Sequence, residues 1–274
     1  MGLARAQGLL GKHAVKQVDR LLSNEKLSVS DSFAYTVPYA IGARKEIVVA
    51  MDWTDFAADK QATLQISLIT SHGRATPLLW KTVNKSELKN KRNDIEDELL
   101  QRFKEVLLVD VKVTVLADRG FGDSKLYDYL RHHLGFDFVI RFRGNITVTD
   151  AKGESRVAQE WVGVGGRARK LKQAKVTGQA YEVPLVVCVK AKGMKQAWCI
   201  AASNAELSAS QLVGWYAKRW GCETQLRDTK NLHFGMELSE TAIKNCQRRD
   251  RLLECLGGDD THLVRRCWRI IRYG

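Results

Sequence analysis

Between Glu46 and Phe142 the apolar positions fall in short runs rich in β-branched residues, separated by polar stretches. The runs "EIVVAMDWTD", "ATLQISLITSHG" and "RATPLLWKTV" read as three strands, the last two joined in a hairpin at "SHGR". A charged helix over about Lys85 to Val106 follows. Then come the strand "VKVTVLAD", the helix "SKLYDYLRHHLG" and the strand "FDFVIRF". Three antiparallel-looking strands, a helical crossover and two more strands with a helix between them predict an α/β fold, a mixed sheet of the ribonuclease H type.

The flanking segments have different patterns. Residues 1–44 carry one helical pattern, with Val15, Val18, Leu21 and Leu22 at helical spacing in "GKHAVKQVDRLLSN", followed by a polar break and Pro38. Helical signals fade from 144 to 203, where "ITVTD", "YEVPLVVCVKAK" and "AWCIAAS" predict a mainly β insertion. A helix is expected from Ser208 through Lys230. The chain is thus divided into an N-terminal segment (1–44), a first core part (45–143), a basic β insertion (144–203), a second core part (204–253) and a basic tail (254–274).

Charge sharpens this outline. Among 274 residues, 44 Lys and Arg against 31 Asp and Glu leave +13, and the pI of about 9.5 makes a polyanion a serious candidate partner. From Arg141 to Lys175 there are nine basic residues against three acids, which makes this stretch either a polyanion track or a solvated loop rich in lysine. The six cysteines all lie between 188 and 267, with no C-x-x-C and no zinc-type spacing, so they are expected to be reduced thiols. No apolar run is long enough for a membrane span, so no membrane partner is expected.

Two apolar strands each end in an aspartate, "EIVVAMD" at Asp52 and "VTVLAD" at Asp118. Side by side in a parallel sheet, they would bring two carboxylates to one edge, a geometry suited to a pair of divalent ions about 3.5–4 Å apart. Either aspartate alone would more ordinarily be a cap or turn residue. Farther on, in "YAKRWGCETQLRDTK", Tyr216, Arg219, Glu223 and Lys230 fall within a sector of about 60° at about 100° per residue. Leu212, Trp220 and Leu226 lie in or near the same half of that helix, which should therefore pack inward. An exposed Arg–Glu ladder, contributing only about 0.3–0.5 kcal/mol per pair, would account for neither Tyr216 nor Lys230.

These residues resemble the DDE transposases of bacterial insertion sequences, in the branch carrying the Y-x2-R-x3-E-x6-K signature (insertion-sequence family four). Tyr216, Arg219, Glu223 and Lys230 match that spacing without a gap, and "MDWTD" and "LADRGFG" resemble the two aspartate motifs in the right order. The resemblance covers about residues 1–253. It implies a ribonuclease H-like core interrupted by a β insertion, and two Mg²⁺ ions held by Asp52, Asp118 and Glu223, with Mn²⁺ as a substitute. One ion would activate water or a 3′-hydroxyl and the other would stabilise the departing oxygen. Tyr216, Arg219 and Lys230 would grip backbone phosphates, Arg119 would add a contact, and Trp198 would stack a flipped base. The implied partners are double-stranded DNA, both inverted-repeat ends and target, with a homodimer in the DNA complex, in the bacterial cytoplasm at the nucleoid.

The chain departs from that pattern at both ends. About forty residues precede the first strand where relatives carry a separate end-binding module, and "ECLGGDDTHLVRRCWRIIRYG" replaces their closing apolar helix. Gly257 and Gly258 would each cost roughly 1 kcal/mol in a helix there. A shortened copy of an insertion-sequence gene is therefore expected. Three readings stay open: a working transposase, a catalytically dead remnant that only binds DNA, and another nuclease of the same fold such as a junction resolvase.

Overall fold

The computed structural model describes residues 11–71, 73, 75–230, 238 and 241–257. Two helices lead in, α1 (Gly11–Ser23) and α2 (Val29–Ile41). The expected polar break falls at 24–28, between the two helices, whereas Pro38 ends nothing: α2 carries it in its last turns and is held in place by buried Phe33, Val37 and Ile41. Three antiparallel strands follow, β1 (Glu46–Phe56), β2 (Gln61–Ile69) and β3 (Ala75–Asn84). The expected helix from Lys85 begins later: a 3₁₀ turn precedes α3 (Arg92–Val106). Next come β4 (Lys112–Ala117), the short α4 (Ser124–Asp128), continued by a π-helical turn, and β5 (Asp137–Phe142).

The insertion holds more strand than its pattern indicated: β6 (Thr147–Thr149), β7 (Ser155–Val157), β8 (Arg169–Val176) and β9 (Tyr181–Val189) precede β10 (Trp198–Ala202). Helices α5 (Ala209–Lys218), α6 (Trp220–Lys230) and α7 (Cys246–Gly257) complete the described chain. The tail beyond 257, expected to be at most weakly helical, lies outside the described residues. Among these, no helix is long and apolar enough to cross a membrane.

All ten strands form one mixed sheet, ordered β3-β2-β1-β4-β5-β10-β9-β8-β6-β7. The centre is parallel, β1 with β4 and β4 with β5, and the other pairings are antiparallel. This is a ribonuclease H-like arrangement. β10 pairs with β5 on one side and β9 on the other, so the insertion strands extend the core sheet without a gap.

Period-2 alternation sorts the central strands onto two covered faces. Val49, Met51, Val115 and Ala117 join one buried cluster with Phe33, Leu100 and Phe103 of α2 and α3. Ala50, Leu116 and Val139 join the opposite one with Leu212, Tyr216, Cys222 and Leu226 of α5 and α6. Each buried Leu, Phe or Tyr contributes about 1.5–3 kcal/mol, so both faces anchor helices firmly.

The basic run in α7 is structural. Arg249 is fully buried over the Phe56 ring at 4.0 Å, paired with Asp59 and bonded to Gln61 and the Leu238 and Ile243 carbonyls. Arg251 donates to the Leu22 carbonyl in the last turn of α1 and to the Leu27 carbonyl in the link to α2.

Candidate active site

In the parallel pair of β1 and β4, Met51 lies opposite Ala117, so the next residues, Asp52 and Asp118, emerge side by side. Asp52 shares the pleat of Ala50, and Asp118 that of Leu116. Both sides of the pair therefore lead to the face covered by α5 and α6. One oxygen of Asp118 accepts from the Gly120 amide at 2.7 Å, capping the turn Arg119–Phe121. A Cβ on Gly120 would stand 2.9 Å from that oxygen, and one on Gly122 2.8 Å from the Phe142 Cβ. Gly122 of "RGFG" is thus required by close approach, and a side chain at Gly120 would displace the Asp118 carboxylate.

Glu223 reaches the same place from across the sheet. The expected single helix from Ser208 to Lys230 is broken at Arg219: its amide bonds the Tyr216 carbonyl, and the Cys222 amide bonds the Arg219 carbonyl, both at three-residue spacing. The tightened turn lets Gly221 pack on the turn between β2 and β3, where a Cβ would lie 3.3 Å from the Gly73 carbonyl. It also carries Trp220 outward. That residue is 60% exposed, contrary to the inward position expected from an unbroken helix. Below it, Cys222 donates to Ser67 and Gln65 to Gln225, pinning α6 on β2.

Arg219 is the hub of the assembly. Its guanidinium donates to Asp52 at 3.1 Å and to Glu223, and lies 5.6 Å over the Tyr216 ring, which in turn meets Trp198 edge-on at 4.9 Å. Burial raises the Asp52 carboxyl from its ordinary value near 3.8 to about 6; Arg219 opposes the shift, while the charges of Asp118 and Glu223 add to it. Burial alone would lower Arg219, but Tyr216, Asp52 and Glu223 together outweigh it and its value is raised. The guanidinium stays charged, and Asp52 carries the unrelieved cost of the cluster.

The carboxylates offer an all-oxygen donor set, the kind that hard divalent ions take. In this arrangement Arg219 occupies the space between two of them, and among the described residues no three acids, histidines or cysteines stand close enough to hold one ion. The Glu223 side chain is half exposed, so its rotamers are not fixed by packing. A cleft of about 410 Å³ runs from Asp52, Trp53 and Glu223 past Arg227 to Lys230, whose ammonium is lowered by burial against the pull of Asp55 and Asp52.

Arg119 faces elsewhere. It bonds Gln196 at 3.0 Å and lines a second pocket, of about 470 Å³, with Arg141, Arg143, Lys190 and Lys195 and no acid. Of the nine basic residues in 141–175, only Arg141 and Arg143 line this pocket. Of the others, Arg156, Lys172 and Lys175 pair with Glu154, Glu206 and Glu182, Lys170 caps carbonyls at 205 and 207, and Arg169 stacks on Trp161. Sequence reading missed Lys190 and Lys195, which a hairpin returns to the core. It also missed the Trp53–Glu96–Arg92 network, in which Trp53 and Arg92 both donate to the same Glu96 oxygen at 2.7 and 3.0 Å and tie β1 to α3. The period-2 position of Trp53, directly after Asp52 and facing the other way, was the available signal.

β1 does not end at Asp52, as its pattern suggested, but continues to Phe56 along β2; only its parallel pairing with β4 stops at Met51. A ribonuclease H-like sheet with two aspartates where two adjacent parallel strands part and a helix-borne glutamate facing them defines a class of nucleic-acid-processing domain. The particular family is shown by sequence: the transposase DDE domain model matches residues 43–248, and the chain belongs to that family. No curated protein matches the chain. Among solved structures, the Argonaute of Marinitoga piezophila, crystallised with a 5′-OH guide RNA and target DNA, is 9% identical with a TM-score of 0.25. The alignment covers 80% of this chain and 31% of that one, and a likeness so slight carries no argument.

Proposed function

We propose that this transposase-family protein cleaves DNA at insertion-sequence ends and joins the freed 3′ ends to target DNA, as a member of the Y-x2-R-x3-E-x6-K branch. The observation that carries the reading is the pairing of Met51 with Ala117, which sets Asp52 beside Asp118, together with the Arg219 bridge that ties Glu223 to Asp52. Asp52, Asp118 and Glu223 would hold two Mg²⁺ or Mn²⁺ ions. When bound, the ions supply Lewis-acid activation of the attacking oxygen and neutralise charge at the departing one.

The chain's own residues do the rest. The raised pKa of Asp52 comes first from burial and then from the charges of Asp118 and Glu223, and a divalent cation would relieve both. Were Glu223 to help hold an ion, Arg219 would be released from it and could donate to a phosphate oxygen. Tyr216, itself backed by Trp198, holds the guanidinium from behind. Lys230 and Arg227 give the cleft a cationic far end for the phosphates on one side of the scissile bond, and the five-cation pocket around Arg119 serves the strand on the other. Residues 144–203 act as an insertion that presents this pocket to DNA, and a homodimer brings two ends together.

The test is strand joining. A DNA fragment ending in the element's terminal sequence with a 3′-hydroxyl is incubated with supercoiled plasmid, Mg²⁺ and protein. Joined circles formed by the wild-type chain and absent with Asp118→Ala support the reading. DNA binding without joining under any divalent ion would identify a remnant that only binds, and cutting of branched DNA regardless of sequence would identify a resolvase-like nuclease.

A further inference from the structure

Two cysteines lie opposite one another at the seam where the insertion meets the core. Cys199 of β10 is the direct antiparallel partner of Cys188 of β9, both are fully buried, and each thiol shifts the acidity of the other. Directly opposed residues in an antiparallel pair have Cα separations of about 4.5 or 5.5 Å, and both values fall within the roughly 4.4–6.8 Å that a disulfide spans. Opposed Cβ atoms lie about 4.5–5.5 Å apart against the roughly 3.5–4.5 Å of a disulfide, so the two strands need draw together by only about 1 Å for the sulfurs to bond.

The cationic pocket lies close by. Gly144 and Ala197 line the cationic pocket, and a Cβ on Gly144 would stand 3.9 Å from the Cys199 sulfur. With no side chain at 144, that sulfur sits just behind the pocket wall. The neighbouring Cys188 thiol favours the Cys199 thiolate most, burial opposes it, and Arg141, on the same wall, favours it as well. Cys222 is equally buried, but it has no cysteine opposite it and its thiol is pushed up to about 12, first by burial and then by Asp52.

We propose that Cys188 and Cys199 form a redox-active thiol pair that a peroxide, entering through the cationic pocket, closes into a disulfide across β9 and β10. The Cys199 thiolate attacks one peroxide oxygen, breaking the O–O bond and giving a sulfenic acid, while the departing hydroxide takes up a proton. Cys188 sulfur then displaces the sulfenic hydroxyl as water. Two thiols lose two electrons and two protons, and one hydrogen peroxide becomes two waters. The bond closes the hairpin 189–198, which carries Lys190, Lys195 and Gln196 to the pocket. Oxidation thus staples the wall that faces Arg119. The inference does not depend on the transposase reading.

The full chain is treated with hydrogen peroxide, alkylated and mapped by mass spectrometry without reduction. The expected result is a linked peptide pair containing Cys188 and Cys199, reversed by dithiothreitol and formed before Cys222 is modified. Cys188→Ala is expected to leave Cys199 as a sulfenic acid captured by dimedone, with Cys199→Ala leaving Cys188 unmodified. Gly144→Ala, whose added methyl meets Gln159 at 3.4 Å and screens the sulfur, should slow linkage several-fold without altering the fold. Cys188 and Cys199 that stay reduced while Cys246 and Cys255 oxidise would overturn the proposal, and so would separate oxidation to sulfonic acids without linkage. Linkage that proceeds at an unchanged rate in Gly144→Ala would overturn the entry route.

Discussion

Replacing Asp52 by asparagine should stabilise the metal-free protein while removing the carboxylate on which its proposed chemistry depends. Folding carries Asp52 from a value near 3.8 to about 6, burial being the largest cause. At about 1.36 kcal/mol per unit, ionised Asp52 therefore costs the folded state about 3 kcal/mol at neutral pH, with an uncertainty of about one unit. The side chain is only 16% exposed, so solvent screening removes little of this. The sign follows from linkage: a carboxyl whose folded value is raised contributes stability below its unfolded value and loses it as pH rises through the folded one. The Asp52→Asn advantage should be near zero below about pH 4, grow through pH 4–6 and level off above. At pH 7 it corresponds to a rise in Tm of roughly 5–10 °C for a chain of this size. Thermal unfolding followed by circular dichroism, in chelator, at pH 4, 5, 6 and 7 measures it. A variant that melts lower than wild type at pH 7, or an advantage independent of pH, would refute the reasoning and show that the Arg219 pair outweighs desolvation.

Other perturbations have definite directions. Arg219→Ala leaves Asp52 buried beside Asp118 without its cation and should cost about 3 kcal/mol, the low end for a broken buried pair because Glu223 is half exposed, as urea unfolding would measure. Arg249→Met should cost about 3–5 kcal/mol by leaving Asp59 buried and unpaired far from the site, and urea unfolding should show a lower midpoint at unchanged slope. Arg143→Ala and Lys195→Ala should each weaken DNA binding at low salt and reduce the slope of log K against log salt by about 0.9. Unchanged slopes in both variants would remove the pocket from the DNA path.

What the sequence made legible is what local periodicity encodes. Alternation in "EIVVAMD" and "VTVLAD" established both strands and the common face of Asp52 and Asp118, and the spacing from Tyr216 to Lys230 marked one side of a helix. The missing parts depend on partners distant in the chain. Arg219 breaks the helix because Gly221 packs on the carbonyl of Gly73, a contact no window around 219 contains. β8 looked like a lysine-rich loop because its inward residues, Leu171, Ala174 and Val176, are spaced by a left-handed Gln173 that interrupts strict alternation. Pro38 read as a breaker because the burial of Phe33, Val37 and Ile41, which outweighs one lost backbone bond, is tertiary. The cationic pocket needed the sheet order itself, since Arg119, Arg143 and Lys195 meet only once β4, β5 and β10 lie side by side.

The most direct test is Mg²⁺-dependent cleavage of end-labelled DNA spanning the element's terminus, comparing wild type with Asp52→Asn, Asp118→Asn and Glu223→Gln, each first shown to be folded. Discrete cuts at the terminus that require the ion and vanish in all three variants are the expected result. Cleavage that survives loss of any one carboxylate, or that proceeds in chelator, would contradict the assignment of these three residues to one metal-dependent site.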